Sequence, residues 1–336
     1  MDDADDADDA DDATLLRRAE VFYGEERLLK AAEVLKQVKD QDNKFTDHHR
    51  MILRWAELVE SGMENLLQDP EQDGSPWIKQ REQHGHRDFL VFYQLTENNQ
   101  LASRIDCAFE SSLLIPLLSV FNESDLFTSF MPSWERPIKI GLSKSEKLKD
   151  EGRGKQIIHQ TTSLTWPFCD RDLFARVMVV DAIEDDHGCI AIQLLSQTSD
   201  DDPVIPEPTK NAVQVDCSSF ILIRACPPDH PCVVQSKHHG DKDNEPLILL
   251  GMTMEVDPHI QAVPQSVQNF VMRTVLGQMW FSVLQVAEDV RDGKRPMHKE
   301  AIDAKPELYN WIEERASVMI DNLGKKTDDE EEEEDD

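Results

Sequence analysis

The second half of the chain contains one long helical pattern, from residue 264 to residue 292. Apolar residues recur at helical spacing on both sides of this predicted helix, so that it is apolar almost all round. Such a helix is normally buried on most of its circumference. Arg273 and the acidic pair Glu288 and Asp289 interrupt the run and argue against a membrane span. The pattern therefore predicts a helix that lies across a large sheet.

Two amphipathic patterns open the chain, over residues 14–40 and 45–69. In each of them, apolar residues form a stripe among charged ones, which is typical of a helix with one buried face. Thr14 is expected to be the N-cap of the first helix, and the polar joint between the two favours a turn. We expect an antiparallel helical hairpin that packs onto the domain that follows.

Strand patterns fill most of the middle of the chain. The predicted strands cover 77–83, 88–96, 101–110, 154–165, 173–183, 189–196, 212–225 and 247–256. A helical pair interrupts them at 111–121 and 124–130, and a last helix covers 305–323. Consecutive strands with short links favour an antiparallel sheet, and its apolar face needs a cover that the long helix supplies. The sequence therefore predicts an α+β fold.

Acidic residues are concentrated at the two ends of the chain. Leaving out the eight Asp of residues 1–13 and the nine acidic residues of 328–336 reduces the formal net charge from −32 to −15. We expect these ends to be disordered, either as solubilising tails or as docking segments for a basic partner. Their negative field opposes binding of nucleic acid and of anionic lipid surfaces. The expected division is 1–13 acidic tail, 14–72 helical hairpin, 73–292 main domain, 293–323 helical extension and 324–336 acidic tail.

The location and the metal content follow from what the sequence lacks. No apolar stretch resembles a signal peptide or is long enough to span a bilayer. The six cysteines show no CxxC spacing, so free thiols in the cytoplasm are expected, with Cys226 and Cys232 as the pair that could meet. The histidine pairs His84/His86 and His238/His239 lack the ligand spacing of zinc sites. We expect no metal and no cofactor.

Three segments, in a fixed order, resemble parts of one known domain. NESDLFTSFMPSW at 122–134 is similar to the segment after its third strand, and WPFCDRDLF at 166–174 is similar to the segment that opens a later strand. The helix over 264–292 stands where that domain has its C-terminal helix. The order of elements from about Pro76 to Asp292 thus resembles the START (StAR-related lipid-transfer) domain of the helix-grip, or Bet v 1-like, superfamily.

The resemblance implies a helix-grip fold, in which a curved antiparallel sheet wraps around the long C-terminal helix and an apolar tunnel. START domains bind one lipid or sterol there without catalysis, and they carry it between membranes or sense it, with transient membrane contact. By the resemblance, Trp166 and Phe168 belong to one lid of the tunnel, the loop 198–210 forms a second lid, and the start of the long helix completes the gate. The N-terminal hairpin is a possible surface for a protein partner.

The alternation of side chains along the strands predicts which residues form the tunnel wall. Many START domains place an arginine in the tunnel at the position of Val177, whereas the nearby arginine here is Arg176, which alternation puts on the opposite face. We therefore expect a more neutral tunnel, in which amides and hydroxyls bind the polar part of the ligand. The predicted wall consists of Gln160, Leu173, Ala175, Val177, Val179, Val267, Val271, Thr274 and Gln278.

Two other functions stay open at this stage. The same superfamily includes polyketide cyclases and aromatases, for which His159, Gln160, Asp181 and Asp216 would be the acid–base candidates. Asp181 and Asp216 lie inside predicted strands, where outward-facing side chains are the simpler expectation. The other possibility is a scaffold, in which the hairpin and the acidic ends bind proteins and the START-like domain is empty.

Overall fold

One open sheet is the centre of the molecule. The computed structural model describes residues 11–83, 88–95, 101–136, 138–185, 188–208, 211–227, 229–231, 245–257, 259 and 270–334. The strands in these residues are β1 (Ile78–Gln83), β2 (Asp88–Leu95), β3 (Leu101–Glu110), β4 (Ser133–Trp134), β5 (Ile140–Asp150), β6 (Lys155–Leu164), β7 (Asp170–Ala182), β8 (Cys189–Ser196), β9 (Ala212–Gln214), β10 (Asp216–Ala225) and β11 (Leu247–Asp257).

Helices lie before, within and after the strand region. The α-helices of the described residues are α1 (Asp12–Gly24), α2 (Leu28–Lys36), α3 (Gln41–Lys44), α4 (Asp47–Leu67), α5 (Leu114–Asn122), α6 (Leu276–Arg291), α7 (Pro296–Asp303) and α8 (Pro306–Glu334). Two 3₁₀ helices, Ser111–Leu113 and Ser124–Ser129, flank α5.

The strands follow the order β1-β2-β3-β11-β10-β8-β7-β6-β5-β4, and β9 lies beside β7. Neighbours along this order are antiparallel, and the short β9 runs parallel to β7. The sheet is not closed, and it wraps around the C-terminal helices as a helix-grip fold does. The predicted α+β class and the antiparallel sheet are confirmed.

Both faces of the sheet are covered by helices, which is why its central strands read as nearly continuous apolar runs. On the inner face, Ile105, Leu250 and Ile192 share a core with Trp280 and Val283 of α6. The outer face carries a separate core, in which strand residues pack against α1, α2 and α4; its strand members are Met178, Val180, Ala182, Cys189, Ala191, Phe220 and Leu222. The N-terminal helices are therefore a built-in cover of the outer face.

The first helical pattern is divided into two helices where one was predicted. The break follows Gly24, and Glu26 adopts a left-handed backbone conformation with φ of 63° that an α-helix does not accommodate. The helix also begins at Asp12 rather than after a cap at Thr14, because the buried Asp12 carboxylate accepts hydrogen bonds from the backbone N–H groups of Lys39 and Asp40. This contact fixes the start of α1 against the chain that follows α2.

The C-terminal region contains more helix than expected. A π-helical turn, Val271–Val275, leads into α6, and the predicted start of this helix at 264–269 lies outside the described residues. The short helix α7 was not predicted as a separate helix, although it lies within the expected helical extension 293–323. Helix α8 continues to Glu334, eleven residues beyond its predicted end at Leu323. Glutamate and lysine are good helix formers, and they extend the helix into the acidic segment.

The strand β5 was missed because its sequence, IGLSKSEKLKD, carries charges instead of an apolar alternation. It lies next to the last strand of the open sheet, and lysines are common near sheet edges, where they prevent pairing with other chains.

Five cysteines lie in the described residues and are free thiols: Cys107, Cys169, Cys189, Cys217 and Cys226. Outside the described residues lie His84, His86, Cys232, His238, His239 and Val267.

Candidate functional site

A cavity of about 60 Å³ lies between the inner face of the sheet and two helices, α5 and α8. Its wall is mostly apolar, with polar groups at one end. The lining residues are Leu118, Phe121, Asn122, Gly154, Gln156, Val177, Val179, Asp181, Ile183, Ile190, Ile192, Trp311, Ile312 and Arg315. The apolar floor comes from β7 and β8, where Val177 and Val179 stand beside Ile190 and Ile192.

The polar end of the cavity is an ion pair between β7 and α8. Arg315 donates from Nη2 to Asp181 Oδ1 at 3.1 Å and from Nε to the other carboxylate oxygen, and its Nη2 also donates to Glu184 Oε2 at 3.3 Å. Asp181 Oδ1 accepts a further bond from the N–H of Ile183 at 3.1 Å. Asp181 is buried and faces the cavity, so the simpler expectation of an outward-facing side chain was wrong for this residue.

A second polar cluster holds the start of α8 against the end of α5. The buried Glu123 accepts hydrogen bonds from Lys305 Nζ, at 2.8 and 2.6 Å, and from the hydroxyl of Tyr309. Burial by itself raises the pKa of Glu123, but the bonds from Lys305 and Tyr309 outweigh burial and lower it below its usual value. Burial, with Glu123 beside it, raises the pKa of the Tyr309 hydroxyl. Helix α8 is thus attached by charged groups on both sides of the cavity.

The structure brings together only some of the predicted wall residues. Val177 and Val179 line the cavity, and Leu173 and Ala175 lie on the same face of β7, nearer its start. Gln160 also lies on this face, where its amide donates to Ser145 Oγ at 3.4 Å, outside the cavity lining. Arg176 lies on the outer face, where it pairs with Glu151 and Asp202 at 3.1 Å. The predicted wall residues that lie on strands are Gln160, Leu173, Ala175, Val177 and Val179.

The described residues that were predicted as the wall on the long helix lie outside the lining of this cavity. Val271 and Thr274 are half-buried and Gln278 is exposed, and none of the three lines the cavity. The helical walls come from α5 and from Trp311, Ile312 and Arg315 of α8. The sequence did contain a signal for α8, since its apolar stripe Tyr309, Ile312, Ala316 and Met319 requires a partner surface. Nothing local in the sequence identifies that surface.

Two aromatic residues of the β6–β7 loop are exposed. Trp166 is 89% exposed and Phe168 is 41% exposed, so neither packs inward. The base of the loop is fixed by Arg171, which donates from Nη1 to the carbonyl oxygen of Cys169 at 2.6 Å. The loop therefore presents apolar rings to its surroundings on a fixed base.

The four acid–base candidates do not converge. His159 lies on the outer face, buried and stacked on Phe174, with Nε2 at 3.1 Å from Asp172 Oδ1. Asp181 faces the cavity on the inner side, and Gln160 lies on that side outside the lining. Asp216 is exposed and pairs with His259 at 3.3 Å. In the part of the chain that the structure describes, no group of three or more His, Cys, Asp or Glu residues could hold a metal ion.

Three solved structures of known proteins are similar to this chain. Human STARD10 has a TM-score of 0.51 and 13% sequence identity, over 74% of this chain and 86% of that one. Human StAR-related lipid transfer protein 5 has a TM-score of 0.48 and 14% identity, over 70% and 97%. A fragment of a STAR-related lipid transfer protein from Xanthomonas axonopodis has a TM-score of 0.46 and 14% identity, over 63% and 99%.

The likeness to STARD10 gives this chain a START-like fold, as the sequence predicted. No protein-family model matches the sequence, and no curated protein matches it. Among the described residues, no helix is both long enough and apolar enough to cross a bilayer.

Proposed function

We propose that this chain binds a single lipid or sterol between the inner face of its sheet and its C-terminal helices, and carries or senses it without catalysis. The observation that carries the proposal is the apolar cavity over Val177, Val179, Ile190 and Ile192, in a START-like fold. Burying each methylene of a ligand there contributes about 0.8 kcal/mol, so an acyl chain binds well without any charge pair along its length.

The cavity must enlarge to accept such a ligand. Its volume of about 60 Å³ is well below the roughly 300–1,000 Å³ of most ligand pockets. We expect the wall formed by α8 to move, because Trp311 and Ile312 of this helix close the cavity opposite the sheet. Val267, Val271, Thr274 and Gln278 remain a predicted wall for the ligand-bound form, together with Gln160, Leu173 and Ala175.

Membrane contact through the β6–β7 loop is part of the proposal. The exposed rings of Trp166 and Phe168 are the kind of side chain that enters the interface of a bilayer. A cytoplasmic location and the absence of nucleic-acid binding stay predictions from the sequence.

The direct test is mass spectrometry of the purified full chain under native conditions, with extraction and identification of any bound lipid. Val177→Phe fills the cavity with an apolar ring, so it should reduce the bound fraction severalfold without making the core polar. The matched control is Val213→Phe, since Val213 is a half-buried valine of β9 away from the cavity. If neither bound lipid nor transfer between vesicles is found for the unmodified chain, the proposal fails.

The two other functions have less support. The cyclase candidates do not meet in one place, so turnover of a polyketide by the purified chain would be needed to revive an enzyme. A protein partner of the N-terminal helices would have to use their exposed side, where Val21 and Leu58 are accessible, since their apolar stripe is buried against the sheet. Loss of a partner on substitution of Val21 or Leu58 would support that role.

A further inference from the structure

The polar end of the cavity holds one ion pair and one acceptor without a partner. Arg315 pairs there with Asp181, and outside the lining it pairs with Glu184, which also lies 3.5 Å from Arg27. Gln156 adds a further acceptor, because it lines the cavity, it is 95% buried, and its side-chain oxygen has no hydrogen-bond partner among the described residues. The end of the cavity therefore has an acceptor available for a group that donates hydrogen bonds.

Arg315 belongs to α8, the wall that the proposed function expects to move. Its helix α8 is attached through Lys305 and Tyr309 to Glu123 on one side and through Arg315 to Asp181 on the other, with Trp311 and Ile312 over the cavity between them. When a ligand displaces this wall, Arg315 leaves with it. Asp181 then remains in the cavity without its cation.

The charge of the ligand's head group decides what this exchange costs. An anionic head would meet the Asp181 carboxylate directly, and like charges at short distance repel. An uncharged head would leave a buried carboxylate unpaired, which is strongly unfavourable. A cationic head restores the ion pair and supplies the donor that the Gln156 oxygen lacks.

We propose that the cavity takes an amphiphile with a cationic amine head group, which pairs with Asp181 in place of Arg315, so that the ligand and helix α8 exclude each other. This inference rests on the proposed function. The chain of the amphiphile lies along Val177, Val179, Ile190 and Ile192. Arg315 is then a built-in competitor that sets the affinity.

The experiment compares three probes of equal chain length, dodecylamine, 1-dodecanol and dodecanoate, by calorimetric titration of the full chain below their aggregation concentrations. Dodecylamine should bind more tightly than either of the others by about tenfold or more, the factor that one charge-assisted hydrogen bond contributes. Arg315→Gln should raise the affinity for dodecylamine by about tenfold because the competitor is removed. Asp181→Asn should abolish the preference among the three probes.

Arg295→Gln is the matched control, because Arg295 also pairs with one carboxylate, Asp289 at 3.1 Å, but lies away from the cavity. It should leave all three affinities unchanged. Thermal unfolding of each variant shows that it is folded before titration. Hydrogen exchange in residues 306–322 provides a second readout, since binding of dodecylamine to the unmodified chain should release α8 and accelerate exchange there.

The outcomes separate this inference from the proposed function. Equal binding of the three probes overturns the cationic head group and leaves lipid binding intact. A preference for dodecanoate that disappears in Arg315→Gln also overturns the cationic head group, because Arg315 would then bind an anionic head group. Unchanged exchange in α8 during binding contradicts the mutual exclusion. If none of the probes binds the unmodified chain or Arg315→Gln, the proposed function fails, and this inference fails with it.

Discussion

The guanidinium of Arg315 donates two hydrogen bonds to the carboxylate of Asp181, a residue 134 positions earlier in the chain. The backbone N–H of the same Asp181 donates to the carbonyl oxygen of Glu26 at 3.0 Å. One residue near the end of β7 thus connects the N-terminal helices on the outer face with the C-terminal helix on the inner face. The backbone makes the first contact and the side chain the second, so a substitution of Asp181 removes the contact with Arg315.

Loss of the arginine should destabilise the fold measurably. Arg315→Gln leaves Asp181 buried without its cation, and removing one partner of a buried pair costs roughly 3–5 kcal/mol. Because the Arg315 side chain is 20% exposed, we expect a smaller loss in the free energy of unfolding, about 1–3 kcal/mol. Urea denaturation measures it. The double variant Asp181→Asn with Arg315→Gln should recover part of the loss, and strictly additive effects would contradict the pairing.

The Glu123 cluster predicts a pH-dependent contribution to stability. Hydrogen bonds lower the pKa of folded Glu123 below the ordinary value of 4.5 for a glutamate, so its contribution to stability is fully present above that value and is lost as the pH falls through the folded pKa. The free-energy difference between the unmodified chain and Glu123→Gln should therefore be constant near neutrality and shrink below pH 4.5. Urea unfolding of both proteins at a series of pH values checks this. A difference that grows on acidification would have the wrong sign.

Helix α4 approaches the outer face closely at Gly62. A Cβ atom there would lie 2.5 Å from the ring of Phe220, so Gly62→Ala requires the helix or the ring to move. We expect a loss of about 1–3 kcal/mol, the usual range for overpacking, although alanine favours helices by about 1 kcal/mol over glycine. Gly24→Ala is the matched control, because nothing lies within 4 Å of its added Cβ. Thermal unfolding should show Gly24→Ala as neutral or stabilising; equal effects of the two would refute the close approach.

The exposed aromatic residues of the β6–β7 loop predict a membrane phenotype without a stability phenotype. Replacing both Trp166 and Phe168 by Ala should weaken binding to phosphatidylcholine vesicles by roughly tenfold or more, from the loss of apolar area that enters the interface. The unfolding temperature should change little, because both rings are exposed. Met297→Ala removes another exposed apolar side chain, in α7, and should not affect vesicle binding. Cosedimentation with vesicles measures the binding of the unmodified chain, the double variant and Met297→Ala.

Local patterns predicted most of the fold. The strands β3 and β8 were predicted with the bounds they have, and the alternation that put Val177 and Arg176 on opposite faces agrees with the structure. The left-handed Glu26 that divides the first helix was not predictable, since glutamate has no preference for that conformation.

The cavity wall was harder to predict than the strands. Which helix covers which part of the inner face depends on contacts between residues far apart in sequence, such as Arg315 with Asp181, and periodicity contains no information about them. The sequence analysis therefore predicted that the long apolar helix alone covers the inner face of the sheet. In the structure, Trp311 and Ile312 of α8 form part of that cover, over the cavity. Whether the predicted wall residues touch a ligand stays a prediction.

The distance along the chain between Asp181 and Arg315 also sets an order of events during synthesis. Chains emerge at about 5–20 residues per second, so a separation of 134 residues corresponds to a delay on the order of ten seconds. During that interval β7 and β8 have left the ribosome while the helix that encloses their inner face has not. A newly made chain thus exposes to hydrophobic molecules the apolar face that α8 covers in the finished protein.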